Sequence, residues 1–248
     1  MKNLLQWILS VLYIAFMAGS VILFALAIIV VFWAPYSWRF LIARGWCELQ
    51  LATLKYVLGL DYEIIGRENI PDHACVVYWK HTSSWETFLT LAMWPKQCWV
   101  LKRELTWIPI FGWALRLVEP IAIDRKGGRS AVSQVVEQGR RKLEDECWIN
   151  IFPEGTRVPP HTTKRYGKSG AILSIETGTP ILPIAHNAGD LWPRHSVLKK
   201  RGKITVSIGP VIPSTGKTPE QLSNESQAWI ENEMGKISSA YKKRNRQD

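Results

Sequence analysis

Lys2 is charged, and the next charge comes only at Arg39: from Asn3 to Trp38 there is neither acid nor base. An interior helix of a soluble protein rarely runs uncharged so far, and about 20 apolar residues already cross the hydrocarbon core of a bilayer. Trp7 stands near one end of the run, and Trp33, Tyr36 and Trp38 near the other. As a helix, Trp7 to Trp33 would extend about 39 Å, close to the separation of the two interfaces where such rings gather. A cleaved leader is the competing reading, with Ala15, Ala18, Gly19 and Ser20 mimicking a cleavage site. Against it, the apolar run continues from Val21 to Val31, longer than a leader's apolar core. Gly19-Ser20 leaves open a second arrangement, two short helices that enter and leave one leaflet. In either form, residues 1–60 are expected to anchor the chain in a membrane, and residues 61–248 to form one globular domain.

The rest of the composition narrows the chemistry. Arg39, Arg44 and Lys55 follow the apolar run and a single Lys2 precedes it, which puts the globular part on the cytoplasmic side by the positive-inside rule. Cys47, Cys75, Cys98 and Cys147 show no paired spacing, so neither a disulfide framework nor a metal site is expected. The formal net charge of +10 is dispersed in small clusters from Lys102-Arg103 to the carboxyl-terminal KKRNR. Such a balance suits an anionic partner, phospholipid head groups or a phosphorylated substrate. A basic tether for nucleic acid would set its bases in one stripe with aromatic rings between them. Here the tryptophans gather near the anchor or in apolar strands, and no nucleic-acid partner is expected.

Hydrophobic periodicity predicts alternating helices and strands beyond the anchor. An amphipathic helix over 45–60 ends at Gly59, and strands are expected over 62–66, 74–79, 98–101, 148–152, 181–186 and 204–208. Helices are expected over 87–93, 128–146, 170–177 and 219–244. Such alternation makes an α/β fold, a mixed and mostly parallel sheet flanked by helices.

Two stretches carry chemistry. The first, Lys80-His81-Thr82-Ser83-Ser84-Trp85-Glu86, follows the strand over 74–79, where loops at strand ends commonly bear function. Ser83 and Glu86 have the spacing of a capping box, in which Glu86 would do no more than start a helix. The same geometry lets the Glu86 carboxylate accept from one imidazole nitrogen of His81, fix its tautomer and leave the other nitrogen to take a proton from a hydroxyl. That is the base-and-orienter half of a triad, with the nucleophile brought by the substrate. Ser83 and Ser84 sit in no G-x-S-x-G elbow, the turn on which one class of enzyme serine is presented. The second stretch, Phe152-Pro153-Glu154-Gly155-Thr156-Arg157, closes the strand over 148–152. It sets a turn, a flexible glycine, a hydroxyl and a guanidinium at one edge of the sheet, and the planar fork of arginine suits a phosphate.

Taken together, KHTSSWE and FPEGTR resemble the signatures of the glycerolipid acyltransferase family, specifically its 1-acylglycerol-3-phosphate acyltransferases: N-H-x-x-x-x-D about seventy residues ahead of F-P-E-G-T-R. The stretch from Val100 to Leu105, followed by Ile108-Pro109 and Phe111-Gly112, looks like the family's lysine-bearing block and implies that Lys102 meets a substrate phosphate. Ile121-Ala122-Ile123-Asp124-Arg125 is similar to its G-x-x-F-I-x-R block and makes Arg125 a further phosphate-facing candidate. Residues 168–184 resemble the family's closing P-[IV]-[IV]-P block, and the similarity extends over residues 66–211. The chain departs from the pattern with Lys80 for Asn, Glu86 for Asp, Glu119 for Gly and Ala122 for Phe.

The resemblance implies a membrane-bound enzyme that moves an acyl chain from acyl-CoA or acyl carrier protein to the 2-hydroxyl of 1-acylglycerol 3-phosphate, giving phosphatidate. Another lysophospholipid acceptor is the alternative. His81 would be the base and Glu86 its orienter. Arg157, Lys102 and Arg125 would hold the phosphate, while Glu154, Gly155 and Thr156 contact the glycerol part or shape the loop. No metal, further cofactor or covalent acyl-enzyme is expected. The expected partners are the lysophospholipid, membrane lipids and, where it is the donor, acyl carrier protein.

Overall fold

The alternating pattern resolves, in a computed structural model that describes residues 2–124 and 127–244, into a seven-stranded sheet between two layers of helices. The strands are β1 (Leu60–Ile65), β2 (Val76–Trp79), β3 (Gln97–Lys102), β4 (Ile121–Ile123), β5 (Trp148–Ile151), β6 (Ile181–His186) and β7 (Gly202–Ile208). Their order is β1-β7-β6-β2-β5-β3-β4, with every neighbouring pair parallel except β6 and β7. This is the mixed, mostly parallel sheet that the sequence implies. The helices are α1 (Lys2–Val30), α2 (Tyr36–Tyr56), α3 (Trp85–Met93), α4 (Phe111–Leu117), α5 (Arg129–Glu144), α6 (Ser169–Thr177), α7 (Ala188–Leu191), α8 (Pro219–Ile237) and α9 (Ser239–Arg244).

Strand β2 shows how the layers form. Successive side chains of a strand point to opposite faces. Val77 and Trp79 join a core with Leu54, Phe88 and Ile184, while Val76 and Tyr78 join another with Val135, Leu173 and Ile230. So α2 and α3 cover one face of the sheet, and α5, α6 and α8 the other. Strands buried on both faces read as continuous apolar runs, which is why 74–79 and 181–186 are plain in the sequence.

Helix α1 runs unbroken through Gly19-Ser20 for 29 residues, and the turn comes instead at residues 31–35, before α2. Among the described residues it is the one helix long and apolar enough to cross a membrane. Three of its polar side chains dock on the rest of the molecule. Gln6 Nε2 donates to the carbonyls of Leu58 and Lys199, Ser10 Oγ accepts from the Lys199 amide, and Ser20 Oγ accepts from Trp46 and Gln50. The outward face keeps Leu5, Trp7, Leu12, Leu23 and Val30 exposed, a larger apolar surface than a soluble monomer carries.

Two expected helices are corrected. The second begins at Tyr36, after Pro35, rather than at residue 45. The last is broken at Ser238, where the Asp190 carboxylate accepts from Ser238 Oγ and from the Ser239 amide and hydroxyl. That capping carboxylate, 48 residues distant in sequence, leaves no trace in the local periodicity.

Candidate active site

Parallel strands send their carboxyl ends to one edge, where open α/β sheets bind ligands. Here β2, β3 and β5 are parallel neighbours, so the loops after them meet. Tyr78 pairs with Ile151, which brings residues 80–84 alongside 152–158. Two hydrogen bonds join the loops: the Val158 amide donates to the His81 carbonyl at 2.8 Å, and the His81 amide to Glu154 Oε1 at 3.3 Å. Gly155 turns the second loop at φ 71°, a backbone region that a side chain resists.

The His81 ring stacks on Phe152, with centroids 4.1 Å apart, and only 13% of its side chain is exposed. Its Nδ1 lies 2.8 Å from Glu86 Oε1. The same oxygen accepts from the amides of Thr82 at 3.2 Å and Ser83 at 3.0 Å. The capping box of Ser83 and Glu86 does not form, since α3 starts from Ser84 without a side-chain cap; Glu86 instead gathers the ring and two loop amides on one oxygen. Burial opposes ionisation of Glu86, but the hydrogen bond from His81 and the charges of His186, His81 and Arg157 prevail and hold the carboxyl below its ordinary range. With Glu86 ionised, Nδ1 carries the donated proton and Nε2 is the basic nitrogen of the ring.

His186, at the end of β6, stands behind the pair. It is fully buried, its Nε2 donates to the Lys80 carbonyl at 2.6 Å, and its Nδ1 accepts from the Ala188 amide. Burial lowers its pKa, against the pull of the Glu86 carboxylate.

The histidine opens on a cavity of about 320 Å³. Its walls are apolar: Val21, Phe24, Ala25 and Ile28 from α1, Trp46 from α2, Phe88 and Leu91 from α3, and Phe111, Ala114 and Leu115 from α4. Lys102 and Arg157 line it as well. Lys102 is exposed and 3.3 Å from Glu104. The Nε of Arg157 is buried without a hydrogen-bond partner among the described residues, an unusual state for a charged donor.

Of the side chains singled out in the sequence, His81, Glu86, Lys102 and Arg157 gather here. Glu154 does not line the cavity. It lies three positions beyond the end of β5 and is buried under the loop against Lys80 and the His81 amide. Burial raises its pKa to about 7, against the pull of Lys80. Thr156 is exposed and lies outside the cavity wall, and Arg125 falls outside the described residues. Missed in the sequence are His186, the stacking Phe152 and all of α4. His186 has one signal, its place at the carboxyl end of an apolar strand.

A family model described as Acyltransferase matches residues 61–187, more than half of the chain. The chain belongs to this family. The resemblance read from KHTSSWE and FPEGTR is thereby borne out, and the protein is an acyltransferase. A 1-acyl-sn-glycerol-3-phosphate acyltransferase of Pseudomonas aeruginosa is 41% identical to this acyltransferase over 227 residues, 90% of this chain and 87% of that one. The human 1-acyl-sn-glycerol-3-phosphate acyltransferase alpha is 29% identical over 178 residues, 71% of this chain and 63% of that one. A crystal structure of a 1-acyl-sn-glycerophosphate acyltransferase from Thermotoga maritima has the same fold, with TM-score 0.76 at 21% identity over 96% of this chain and 98% of that one.

Proposed function

We propose that this acyltransferase transfers an acyl chain from a thioester donor, acyl-CoA or acyl carrier protein, to the 2-hydroxyl of 1-acylglycerol 3-phosphate, forming phosphatidate. The observation that supports it most is the His81–Glu86 pair at the junction of an apolar cavity with two basic side chains. His81 Nε2 takes the hydroxyl proton as the oxygen attacks the thioester carbonyl. The intermediate collapses, the carbon–sulfur bond breaks, and the imidazolium returns its proton to the leaving thiolate. Glu86, held ionised, stabilises the imidazolium between these steps. Neither a metal nor a covalent acyl-enzyme enters the scheme.

Lys102 and Arg157 hold the phosphate in this reading, and the unpartnered Nε of Arg157 is the donor that a phosphate oxygen would satisfy. Fixing the hydroxyl against the base in this way accounts for several kcal/mol of barrier, about tenfold for each 1.4. The acyl chain lies in the cavity. Helix α1 keeps contact with the rest of the molecule from Gln6 to Ile28, so we read it as lying along the membrane surface with its apolar outer face in lipid. In this reading the catalytic part faces the cytoplasm, where either donor is soluble.

Thiol release by the purified enzyme tests the reading, with lysophosphatidate or lysophosphatidylglycerol as acceptor and acyl-CoA or acyl carrier protein as donor. Lysophosphatidate is expected to be faster by about tenfold or more, since only it presents a terminal phosphate to the two cations. A rate as high with lysophosphatidylglycerol would move the acceptor to another lysophospholipid. No acceptor-dependent release with any pair would overturn the proposal.

A further inference from the structure

We propose that Lys80 is a positioning residue for acyl transfer, and that through it the carboxyl-terminal helices α8 and α9 hold the histidine loop in place. The inference rests on His81 acting as the base.

Lys80 is fully buried. Its backbone is fixed to β6, the amide donating to the Ile184 carbonyl at 3.1 Å and the carbonyl accepting from His186 at 2.6 Å. The ammonium meets three oxygens: Glu231 Oε1 at 2.6 Å, the Thr162 carbonyl at 3.1 Å and Glu154 Oε1 at 3.4 Å. Glu231 and Thr162 accept hydrogen bonds from it, and Glu154 faces it as an ion pair. The Tyr241 ring lies 5.8 Å from Nζ, and its hydroxyl lies 2.6 Å from Glu231 Oε2 and 3.0 Å from the Thr162 carbonyl. Glu231 belongs to α8 and Tyr241 to α9; Glu154 and Thr162 belong to the FPEGTR loop and the segment after it. Four parts of the chain thus converge on one side chain, which neighbours the histidine in sequence.

Stability is a poor reason for such a cluster. Charges taken out of water lose their hydration, and apolar groups of similar volume often serve as well or better. Apolar groups cannot, however, aim a neighbour. Glu154 Oε1 faces both the Lys80 ammonium and the His81 amide. The His81 carbonyl is held in turn by the Val158 amide. The His81 peptide is therefore gripped on its N–H by a carboxylate that Lys80 secures, and Lys80 is secured by α8 and α9. An asparagine, the residue of the related motif at this position, would be too short to reach Glu231. The lysine and the α8 glutamate belong together as one device.

The charge-balanced variant Lys80→Met/Glu231→Gln removes the link without leaving an unpaired ammonium, and Tyr241→Phe removes a single hydroxyl. Both are assayed beside the parent and His81→Ala for kcat, KM of each substrate and Tm. The double variant is expected to lose about tenfold or more in kcat with both KM values within about threefold, the mark of a misdirected base in a formed binding site. For Tyr241→Phe the expected loss in kcat is about two- to fivefold in the same pattern. A merely structural role would lower Tm and leave kcat per folded enzyme unchanged, and kcat at the parent's value in both variants overturns the proposal. Should the double variant not fold, Glu231→Gln joins Tyr241→Phe, and parent-like kcat in both of these overturns it. A parent without transfer, or an active His81→Ala, would remove the assignment of the base; an inactive His81→Ala beside a fully active double variant removes only the role of Lys80.

Discussion

Glu86 and Glu154 are both buried, and both lie within hydrogen-bond distance of His81, one at its ring and the other at its amide. Their charges nonetheless respond in opposite directions. Glu86 Oε1 receives the His81 ring and two loop amides, and its pKa falls despite full burial. Glu154 receives one amide and a lysine at 3.4 Å, and its pKa rises to about 7. Burial alone does not decide the charge of a carboxyl; the donors aimed at its oxygens do. The 80–86 loop is thereby built around a fixed negative charge, whereas the 152–158 loop spends its carboxyl on scaffolding and leaves Arg157 for the cavity.

The largest effect should come from the residue that both carboxylates touch, one at its ring and the other at its amide. His81→Ala is expected to lose at least about 10²-fold in turnover, as for loss of a general base, with Tm and membrane retention preserved. Parent-like turnover in the folded variant would dissolve the comparison. Glu86→Gln comes next, with turnover down about 10²-fold or more because the imidazolium loses its counter-charge. Three donors also lose their anion, so a stability loss of about 1–3 kcal/mol is expected, beyond what a helix cap alone would cost. Because the folded pKa of Glu86 is depressed, its stabilisation is present above the ordinary carboxyl value and lost as pH falls through the folded one. The Tm deficit of the glutamine variant should therefore shrink in acid, and a deficit independent of pH would contradict the depressed pKa.

Arg157→Ala should raise KM for lysophosphatidate about tenfold with a smaller change in kcat; an unchanged KM would take the guanidinium out of phosphate binding. Glu154→Gln sharpens the contrast through the opposite sign. With a folded pKa raised from 4.5 to about 7, the contribution of Glu154 is present below the lower value and lost as pH rises through the upper. Glutamine resembles the protonated form, so the variant should gain in Tm on the parent between about pH 5 and about pH 8. A difference that is flat, or that runs the other way, would mean that the two glutamates titrate alike. The smallest effect belongs to exposed Thr156, where alanine should change turnover by less than about twofold and stability by less than about 0.5 kcal/mol.

What the sequence reveals here follows from where each residue's partners lie. β2 and β6 are plain because apolar runs answer to both faces of the sheet, and the His81–Glu86 pair is plain because its members are five residues apart. Helix α4 is hidden. It has seven residues and begins after Ile110, whose φ of 63° is held by the surroundings rather than by its own preference. Its second residue is Gly112 because a Cβ there would come within 2.6 Å of the Thr106 carbonyl carbon, a contact that periodicity does not register. The inward turn of Glu154 is hidden for a related reason. Its partner Lys80 is 74 residues away, and the sequence shows a polar residue in a turn, which reads as exposed.

Val21, Phe24, Ala25 and Ile28 face the cavity from α1, while Ile22, Leu23, Leu26 and Val30 of the same helix stay exposed. The inner set follows the three- and four-residue steps of one helix face, and the outer set fills the gaps. One stretch of ten codons therefore writes two independent messages in interleaved letters. Substitutions in the inner set resize the room for a chain; substitutions in the outer set retune the fit to surrounding lipid. Because the two sets share no residue, either face can change without rebuilding the other or the histidine loop.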